Sequence, residues 1–324
     1  MMTIDEVPKT CTHTIDHSDV VQIVEFSPFD WSSRLIAVGS SSRISIGTIL
    51  FQEEDKEVEG LEYEVIREFH HSCRLMAFAW SPATSLRVLP KALKFCTAGA
   101  DKKIRYYSSD LKTDDAVRVI DGHTDYVNDL IFDPDKGEQI ASVSDDLTCR
   151  LFDTDGHQVA VYPLGSPGMS VKWHQEDPVK LMVGEKNGTI RFYNLIDQQP
   201  ILSLACGNAP LLSVDWCHSN ALSVSAVVGT ELLLFDTSKS SRPSEKKQVH
   251  SDGARCVRWA KCNESIVATT GCPGSQLKVF NFKLNQTPIC TSSHILNGLS
   301  WHYKLPIVAV GGDKKVFFWT VDNA

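Results

Sequence analysis

Apolar and polar residues alternate along most of this chain, in short runs separated by turn-forming residues. Alternation with a period of two indicates half-buried β-strands. Seven of these runs end in an aromatic residue, and successive aromatic positions lie 54, 52, 41, 43, 43 and 42 residues apart. These anchor residues are Phe26, Trp80, Phe132, Trp173, Trp216, Trp259 and Trp301. A repeat of about 40–45 residues with strand patterning predicts propeller blades of four strands each.

The third repeat shows the pattern most clearly. GHTDYVNDLIFDP (122–134) predicts a turn followed by a strand, and EQIASVSDDLTCRLFD (138–153) predicts two strands joined by a tight Asp-Asp turn. HQVAVYPL (157–164) predicts a fourth strand. The other repeats follow the same order, and the first repeat is the most degenerate.

The two ends of the chain predict how the ring closes. The sequence runs out at about the third strand of the seventh repeat, which would leave an exposed sheet edge. The segment CTHTID (11–16) alternates and precedes the first repeat, so it is the natural fourth strand. We therefore predict an all-β fold, a single seven-bladed β-propeller over residues 1–324, whose last blade is closed by residues 10–16.

Composition and charge exclude several classes of function. The net charge is −8 and 42% of residues are hydrophobic, as in an ordinary globular chain. A nucleic-acid footprint would be basic and clustered, and the one notable basic cluster, RPSEKK (242–247), contains a glutamate. The N-terminus is polar and no apolar run is long enough to span a bilayer. We therefore expect an intracellular chain with no direct nucleic-acid binding and no membrane insertion.

The cysteines and histidines predict no cofactor. Several of the ten cysteines stand inside apolar runs, as small hydrophobic residues do, and no CxxC pair is present. The cluster of His70, His71 and Cys73 is a tempting ligand set. A structural role for His71 is the better explanation, so we expect no metal and no small-molecule substrate.

The positions of histidine and aspartate resemble the WD-repeat family. That family has Gly-His before the first strand, Ser or Thr in the second, Asp in the next turn and Trp in the third. Four repeats carry a histidine nine residues before the anchor: His17, His71, His123 and His250. Four carry a turn Asp or Asn six residues before an aromatic: Asp101/Tyr107, Asp146/Phe152, Asn187/Tyr193 and Asp313/Trp319.

The resemblance implies hydrogen-bonded networks inside the blades, since a buried Asp needs donors that His and Ser supply. The expected network residues are His123, Ser142, Asp146 and Phe152 in blade three, and His71, Thr97, Asp101 and Tyr107 in blade two. The alternative, a Ser-His-Asp hydrolase triad, requires an exposed nucleophile and an oxyanion hole. Ser142 lies in an apolar run with no GxSxG elbow, so we expect no catalytic residue and no enzyme.

Two insertions make the early repeats about ten residues longer than the later ones. They are the acidic run FQEEDKEVEGLEYE (51–64) and SPATSLRVLPKALK (81–94). Loops carry function more often than scaffold strands do. The alternative interpretation is a solvated acidic hairpin and a Pro-broken surface loop.

Further motifs resemble one branch of the WD-repeat family, the thirty-seven-kilodalton WD-repeat nucleoporins, from about residue 20 to the C-terminus. The segments SPGMSVKWH (166–174) and EKNGTIRFY (185–193) are not generic to WD repeats, and their order and spacing carry the resemblance. It implies a structural subunit of the Y-shaped scaffold complex of the nuclear pore, docked on the large hundred-and-sixty-kilodalton scaffold nucleoporin. It also implies a location at the nuclear envelope, and at kinetochores during mitosis. The alternative is an adaptor of another complex, such as a ubiquitin ligase or a chromatin complex.

Overall fold

The alternating runs form β-strands that pair into seven antiparallel sheets of four strands. The computed structural model describes residues 10–112, 115–273, 275–292 and 297–321. Each sheet is one propeller blade, and within six of them the strands follow chain order from the inside of the ring outwards. The predicted all-β, seven-bladed propeller is confirmed.

The strands of the first four blades are, in order, β2 (Ile23–Phe26), β3 (Leu35–Gly39), β4 (Arg43–Phe51), β5 (Leu61–His70), β6 (Leu75–Trp80), β7 (Leu93–Gly99), β8 (Ile104–Ser109), β9 (Ala116–Ile120), β10 (Val127–Phe132), β11 (Gln139–Ser144), β12 (Thr148–Asp153), β13 (Gln158–Pro163), β14 (Gly168–Trp173), β15 (Lys180–Glu185), β16 (Thr189–Asn194) and β17 (Gln199–Ala205). Within the described residues, a short 3-10 helix, Asp30–Ser32, is the one helical element.

The remaining strands are β18 (Leu211–Trp216), β19 (Ser223–Val228), β20 (Glu231–Asp236), β21 (Glu245–Gln248), β22 (Gly253–Trp259), β23 (Ile266–Cys272), β24 (Gln276–Asn281), β25 (Gln286–Ser292), β26 (Asn297–Trp301), β27 (Ile307–Gly312), β28 (Lys315–Thr320) and, from the start of the chain, β1 (His13–Asp16). The predicted closure is confirmed, because β1 lies beside β28 as the outer strand of blade seven. His13 faces Phe318 and Asp16 faces Lys315 in the antiparallel register.

The seven anchor residues end the innermost strands of the seven blades. Six of them are almost fully buried, and Trp216 is partly buried against the same kind of core. The apolar clusters lie between neighbouring blades: one joins Phe26 and Phe51 of blade one to Phe318 of blade seven. Each blade packs against a neighbour on either side, so both faces of its sheet are buried and its inner strands carry apolar residues on both faces.

The indole N–H groups of the tryptophan anchors tie loops and blades together. Trp173, Trp216 and Trp259 each donate to a carbonyl five residues later in the following loop, at 2.7–2.8 Å. Trp80 and Trp301 instead donate to the preceding blade, at the carbonyls of Glu25 and Arg258. Buried indole groups require such partners, so the repeated aromatic serves both as core and as donor.

The anchors also define two faces of the ring. In every blade the first and third strands end on the same side, since neighbouring strands are antiparallel. We call this side the lower face. The turns before the first strands, four of which carry a histidine, lie on the opposite, upper face.

Candidate functional site

Blade three brings together the network residues that the sequence singled out. His123 Nδ1 lies 2.8 Å from Asp146 Oδ2, and His123 Nε2 lies 2.8 Å from Ser142 Oγ. The ring of Phe152 meets the imidazole edge-on with centroids 6.1 Å apart. Asp146 also accepts hydrogen bonds from the backbone N–H groups of Thr124 and Thr148. The network therefore joins the upper turn, the second strand and the hairpin turn of one blade.

The protonation behaviour of this network follows from its burial. Burial lowers the pKa of His123 although Asp146 favours the charged form, so the imidazole is neutral at physiological pH. Burial alone would raise the pKa of Asp146, but the hydrogen bonds from Thr148, His123 and the Thr124 N–H outweigh it and leave the pKa lowered. An ionised carboxylate with several donors is stable in this position.

The hydrogen bonds run from Ser142 to His123 to Asp146, as in a hydrolase triad, but the surroundings of Ser142 differ from those of a catalytic serine. Ser142 is 0% exposed in the middle of β11, and its hydroxyl is enclosed by the blade. A nucleophile must reach a substrate carbonyl beside oxyanion-stabilising donors. The buried position of Ser142 closes its hydroxyl to a substrate in the folded blade.

Blade two departs from the expected network. His71 Nε2 lies 3.2 Å from the carbonyl oxygen of Ser40 in blade one, and no contact joins His71 to Asp101 among the described residues. Asp101 instead pairs with Arg105, and the thiol of Cys73 lies 3.5 Å from its Oδ1. The strong guanidinium partner holds the pKa of Asp101 down at about 2. The Asp101 side chain is 31% exposed and is paired with Arg105 instead of His71.

The other two predicted residues of blade two belong to its core. Tyr107 stacks on Phe95 with centroids 4.6 Å apart, and Thr97 is buried in β7. Both residues are buried in the blade, apart from His71 and Asp101.

Blade four contains a buried carboxylate that the sequence reasoning missed. Glu185 is 0% exposed at the end of β15 and accepts hydrogen bonds from the backbone N–H groups of Gly165 and Ser166, at 2.9 and 3.1 Å. Arg191 forms an ion pair with its other oxygen. Glu185 does here what His123 and Asp146 do in blade three: it fixes the upper turn to the blade. A charged residue ending the apolar run LMVGE was the available signal.

The central channel holds a second set of residues that the sequence reasoning missed. Asp129 Oδ2 lies 3.1 Å from Lys172 Nζ and accepts hydrogen bonds from the hydroxyl of Ser170 and the N–H of Val171, both at 3.0 Å. Burial would raise the pKa of Asp129, but Lys172 and other cations outweigh burial and lower it. Blade three is thereby joined to blade four through one carboxylate.

The same direction of bonding repeats around the channel. Asp215 of blade five accepts the N–H of Trp259 in blade six at 2.6 Å. In blade seven, the Ser300 hydroxyl accepts the N–H of Phe26 at 2.9 Å. Acceptors of one blade thus meet donors of the next. The sequence signal was a polar residue one or three places before the anchors of blades three, five and seven, inside an apolar strand.

The channel mouth on the lower face encloses a cavity of about 120 Å³. Its lining includes the anchors and the charged side chains of Glu25, Lys172, Arg258 and Lys261. Burial raises the pKa of Glu25 to about 7, against the influence of Arg258 and Lys172. A volume this small has room for a few water molecules. Of the charged residues in the lining, Lys172 and Arg258 make side-chain contacts to the preceding blade, with Asp129 and Ser213.

The described residues contain neither a group of metal ligands nor a helix that could span a membrane. Among the described residues, no group of three or more His, Cys, Asp or Glu side chains is placed to hold a metal ion. In the same part of the chain, no helix is long and apolar enough to cross a membrane. Neither finding identifies a binding partner.

The two insertions lie on the same face of the ring. Residues 52–60 connect β4 to β5, and residues 81–92 connect β6 to β7, so both project from the lower face. The second loop is fixed by Trp31 of blade one, whose indole N–H donates to the Thr84 carbonyl at 3.0 Å. The lower face of blades one and two is therefore the part of the surface that differs most from a minimal propeller.

These features define a WD-repeat β-propeller whose polar networks maintain the ring. The WD domain, G-beta repeat family matches residues 115–153, which span most of blade three. The chain is 47% identical to nucleoporin Nup37 of Homo sapiens over 98% of its own length and 99% of the relative. It is 35% identical to nucleoporin Nup37 of Drosophila melanogaster over 95% of its length and 97% of that relative. The chain belongs to the Nup37 nucleoporin family, which confirms the resemblance of its motifs.

Proposed function

We propose that this chain is a non-catalytic structural subunit of the nuclear pore complex, docked in its Y-shaped scaffold subcomplex. The observation that carries the proposal is the 47% identity to a nucleoporin over 98% of the chain. The proposed partner is the large hundred-and-sixty-kilodalton scaffold nucleoporin, together with other subunits of the subcomplex. In this role the chain supports pore assembly and the transport of protein and mRNA, at the nuclear envelope and at kinetochores in mitosis.

The physical character of the ring supports a docking role. Every blade is closed by four strands, and neighbouring blades are joined by apolar clusters and by hydrogen bonds across the channel. A rigid body of this kind loses little conformational entropy when it binds, which favours stable association. The one Ser-His-Asp arrangement found in the described residues is buried, so it supports a structural role.

The test is to tag the chain and image it in living cells, then to deplete the large scaffold partner. We expect a signal outlining the nuclear rim that becomes diffuse after depletion. A diffuse signal from the outset would refute the pore assignment, and co-purification with ubiquitin-ligase or chromatin subunits would favour the adaptor alternative. A rim signal that survives depletion would refute the proposed docking partner.

A further inference from the structure

We propose that the lower face of blades one and two is the docking surface, and that it takes a basic, amphipathic segment of the scaffold partner. The inference rests on the proposed function and adds the location and the chemistry of the contact. It depends on three features that meet on this face: an exposed apolar tip, an ordered loop that supports it and a strongly acidic hairpin.

The apolar tip is formed by Val88 and Leu89, which are 67% and 75% exposed. On the same face, Trp31 contacts the same loop at Thr84 and is 43% exposed, although its ring stacks on Phe29 at 5.1 Å. We call these three exposed residues the lower patch. Adjacent exposed apolar residues on one face are typical of a protein-binding site. Hot spots of binding are enriched in tryptophan and cluster at such positions.

The loop that presents the tip is held by its own hydrogen bonds. Thr84 Oγ1 donates to the carbonyl of Lys94 at 2.7 Å and accepts its N–H at 3.0 Å. Ser85 and Ala92 form a β-bridge across the base of the loop. The Trp31 indole bond to Thr84 fixes the loop to blade one. Val88 and Leu89 are therefore presented by a preorganised loop, which reduces the entropy lost on binding.

The acidic hairpin, residues 51–64, sets the charge of the partner. It contains seven acidic residues and one lysine, a net charge of −6 in a chain of net −8. Glu57 and Glu59, at its lower tip, and Glu62 on β5 are exposed. Complementary charge steers a partner and selects it. A partner segment with lysines and arginines beside its apolar residues fits this surface.

The hairpin and the lower patch belong to one surface. Glu54 of the hairpin lies 3.8 Å from Arg34, which follows Trp31 by three residues. Burial raises the pKa of Glu54, and Arg34, Lys304 and Arg87 oppose that shift. These cations compensate Glu54, and the acids further along the hairpin are left to face a partner.

The experiment measures binding of the full chain to the purified large scaffold nucleoporin. One variant, Val88→Ser/Leu89→Ser, removes the apolar tip, and another, Glu57→Lys/Glu59→Lys, reverses two charges of the hairpin. Matched controls on the lower face of other blades are Leu222→Ser/Leu284→Ser, exposed to 50% and 53%, and Asp135→Lys/Glu138→Lys. All eight positions are exposed, so melting temperatures near that of the wild type are expected and are measured first.

We expect each lower-face variant to weaken binding by about tenfold or more, while the controls bind like the wild type. Raising the salt from about 50 to about 300 mM should weaken the wild type more than the charge-reversed variant. Wild-type binding with no loss in any variant would overturn this surface and leave the proposed function standing. A charge-reversed hairpin that binds more tightly would overturn the basic partner chemistry. A wild-type chain that does not bind the scaffold nucleoporin would refute the proposed docking partner itself.

Discussion

Phe26 and Ser300, 274 residues apart in the chain, are joined by a hydrogen bond of 2.9 Å from the Phe26 N–H to the Ser300 hydroxyl. The bond crosses the junction between the first and last blades, where the ring must close on itself. A second connection lies further out, where the N–H of Thr320 donates to the Thr12 hydroxyl at 2.8 Å and β1 pairs with β28. The N-terminal strand is therefore part of the closure of the ring.

The first prediction concerns this closure. Deleting residues 1–16 removes β1 with the buried side chain of Ile15, exposes the edge of β28 and uncovers the core residues packed around Ile15. We expect the melting temperature to fall by about 5 °C or more, since about 1 kcal/mol corresponds to a few degrees in a chain of this size. The control is deletion of residues 2–9, which keeps β1. Equal melting temperatures for the two deletions would show that β1 does not stabilise the ring.

The second prediction compares two aspartates at equivalent turns. Asp146→Ala leaves the buried donors of His123 and the Thr124 and Thr148 N–H groups unpaired, at a cost of about 1–3 kcal/mol. Asp101→Ala breaks a partly exposed ion pair with Arg105, at a cost of about 0–1 kcal/mol. Urea unfolding measures both. If Asp146→Ala kept full stability and lost partner binding, the network would be a binding site and its structural role would be refuted.

These two aspartates also show how far sequence reasoning reaches. The spacing of His123, Ser142 and Asp146 is local, so one blade's motif was enough to predict that they meet. Asp101 follows His71 by 30 residues, with the 81–92 insertion between them, whereas Asp146 follows His123 by 23, and the structure pairs Asp101 with Arg105. Blade three has Arg150 at the corresponding place, 3.7 Å from Asp146, so an arginine four residues after the aspartate does not by itself tell which partner the carboxylate takes.

The channel was beyond sequence reasoning for a different reason. Asp129 and Lys172 lie 43 residues apart, and each alone reads as a polar residue in an inner strand. Their pairing follows from the ring, because consecutive inner strands face each other across a blade boundary. The lower patch likewise depends on which loops project from one face. Fold and closure could therefore be predicted from periodicity, whereas contacts between blades needed the structure.

The third prediction concerns acid sensitivity. Burial lowers the pKa of His302, between Phe26 and Phe51, from 6.5 to about 4 in the folded chain. The unfolded chain therefore binds more protons between these pH values, so stability is full above pH 6.5 and falls as the pH drops towards 4. His302 contributes a slope of up to about 1.4 kcal/mol per pH unit in this window.

The measurement is urea unfolding of the wild type and His302→Phe at several pH values between 4 and 7. Phenylalanine keeps the aromatic contacts and removes the titrating group, so we expect a shallower pH dependence in the variant, whatever its absolute stability. The exposed His157→Phe is the control, because its side chain is 80% exposed. Parallel pH curves for His302→Phe and the wild type would contradict the buried, neutral imidazole.

The last prediction concerns Glu25 at the mouth of the channel, whose effect on stability has the opposite pH dependence to that of His302. Burial raises the pKa of its carboxyl from 4.5 to about 7, so the folded chain binds more protons than the unfolded chain between these values. Stability contributed by this group therefore falls as the pH rises through the window, and above it the folded chain contains a desolvated carboxylate. Arg258, Lys172 and Lys261 reduce that cost, and Asp129 adds to it.

Glu25→Gln should raise the free energy of unfolding at about pH 8 relative to about pH 5 by roughly 1–3 kcal/mol. The control Glu62→Gln replaces an exposed carboxylate of the acidic hairpin and should show no such difference between the two pH values. A Glu25→Gln variant whose advantage is the same at both pH values would mean that Glu25 is ionised in the folded channel and is held by its neighbouring cations.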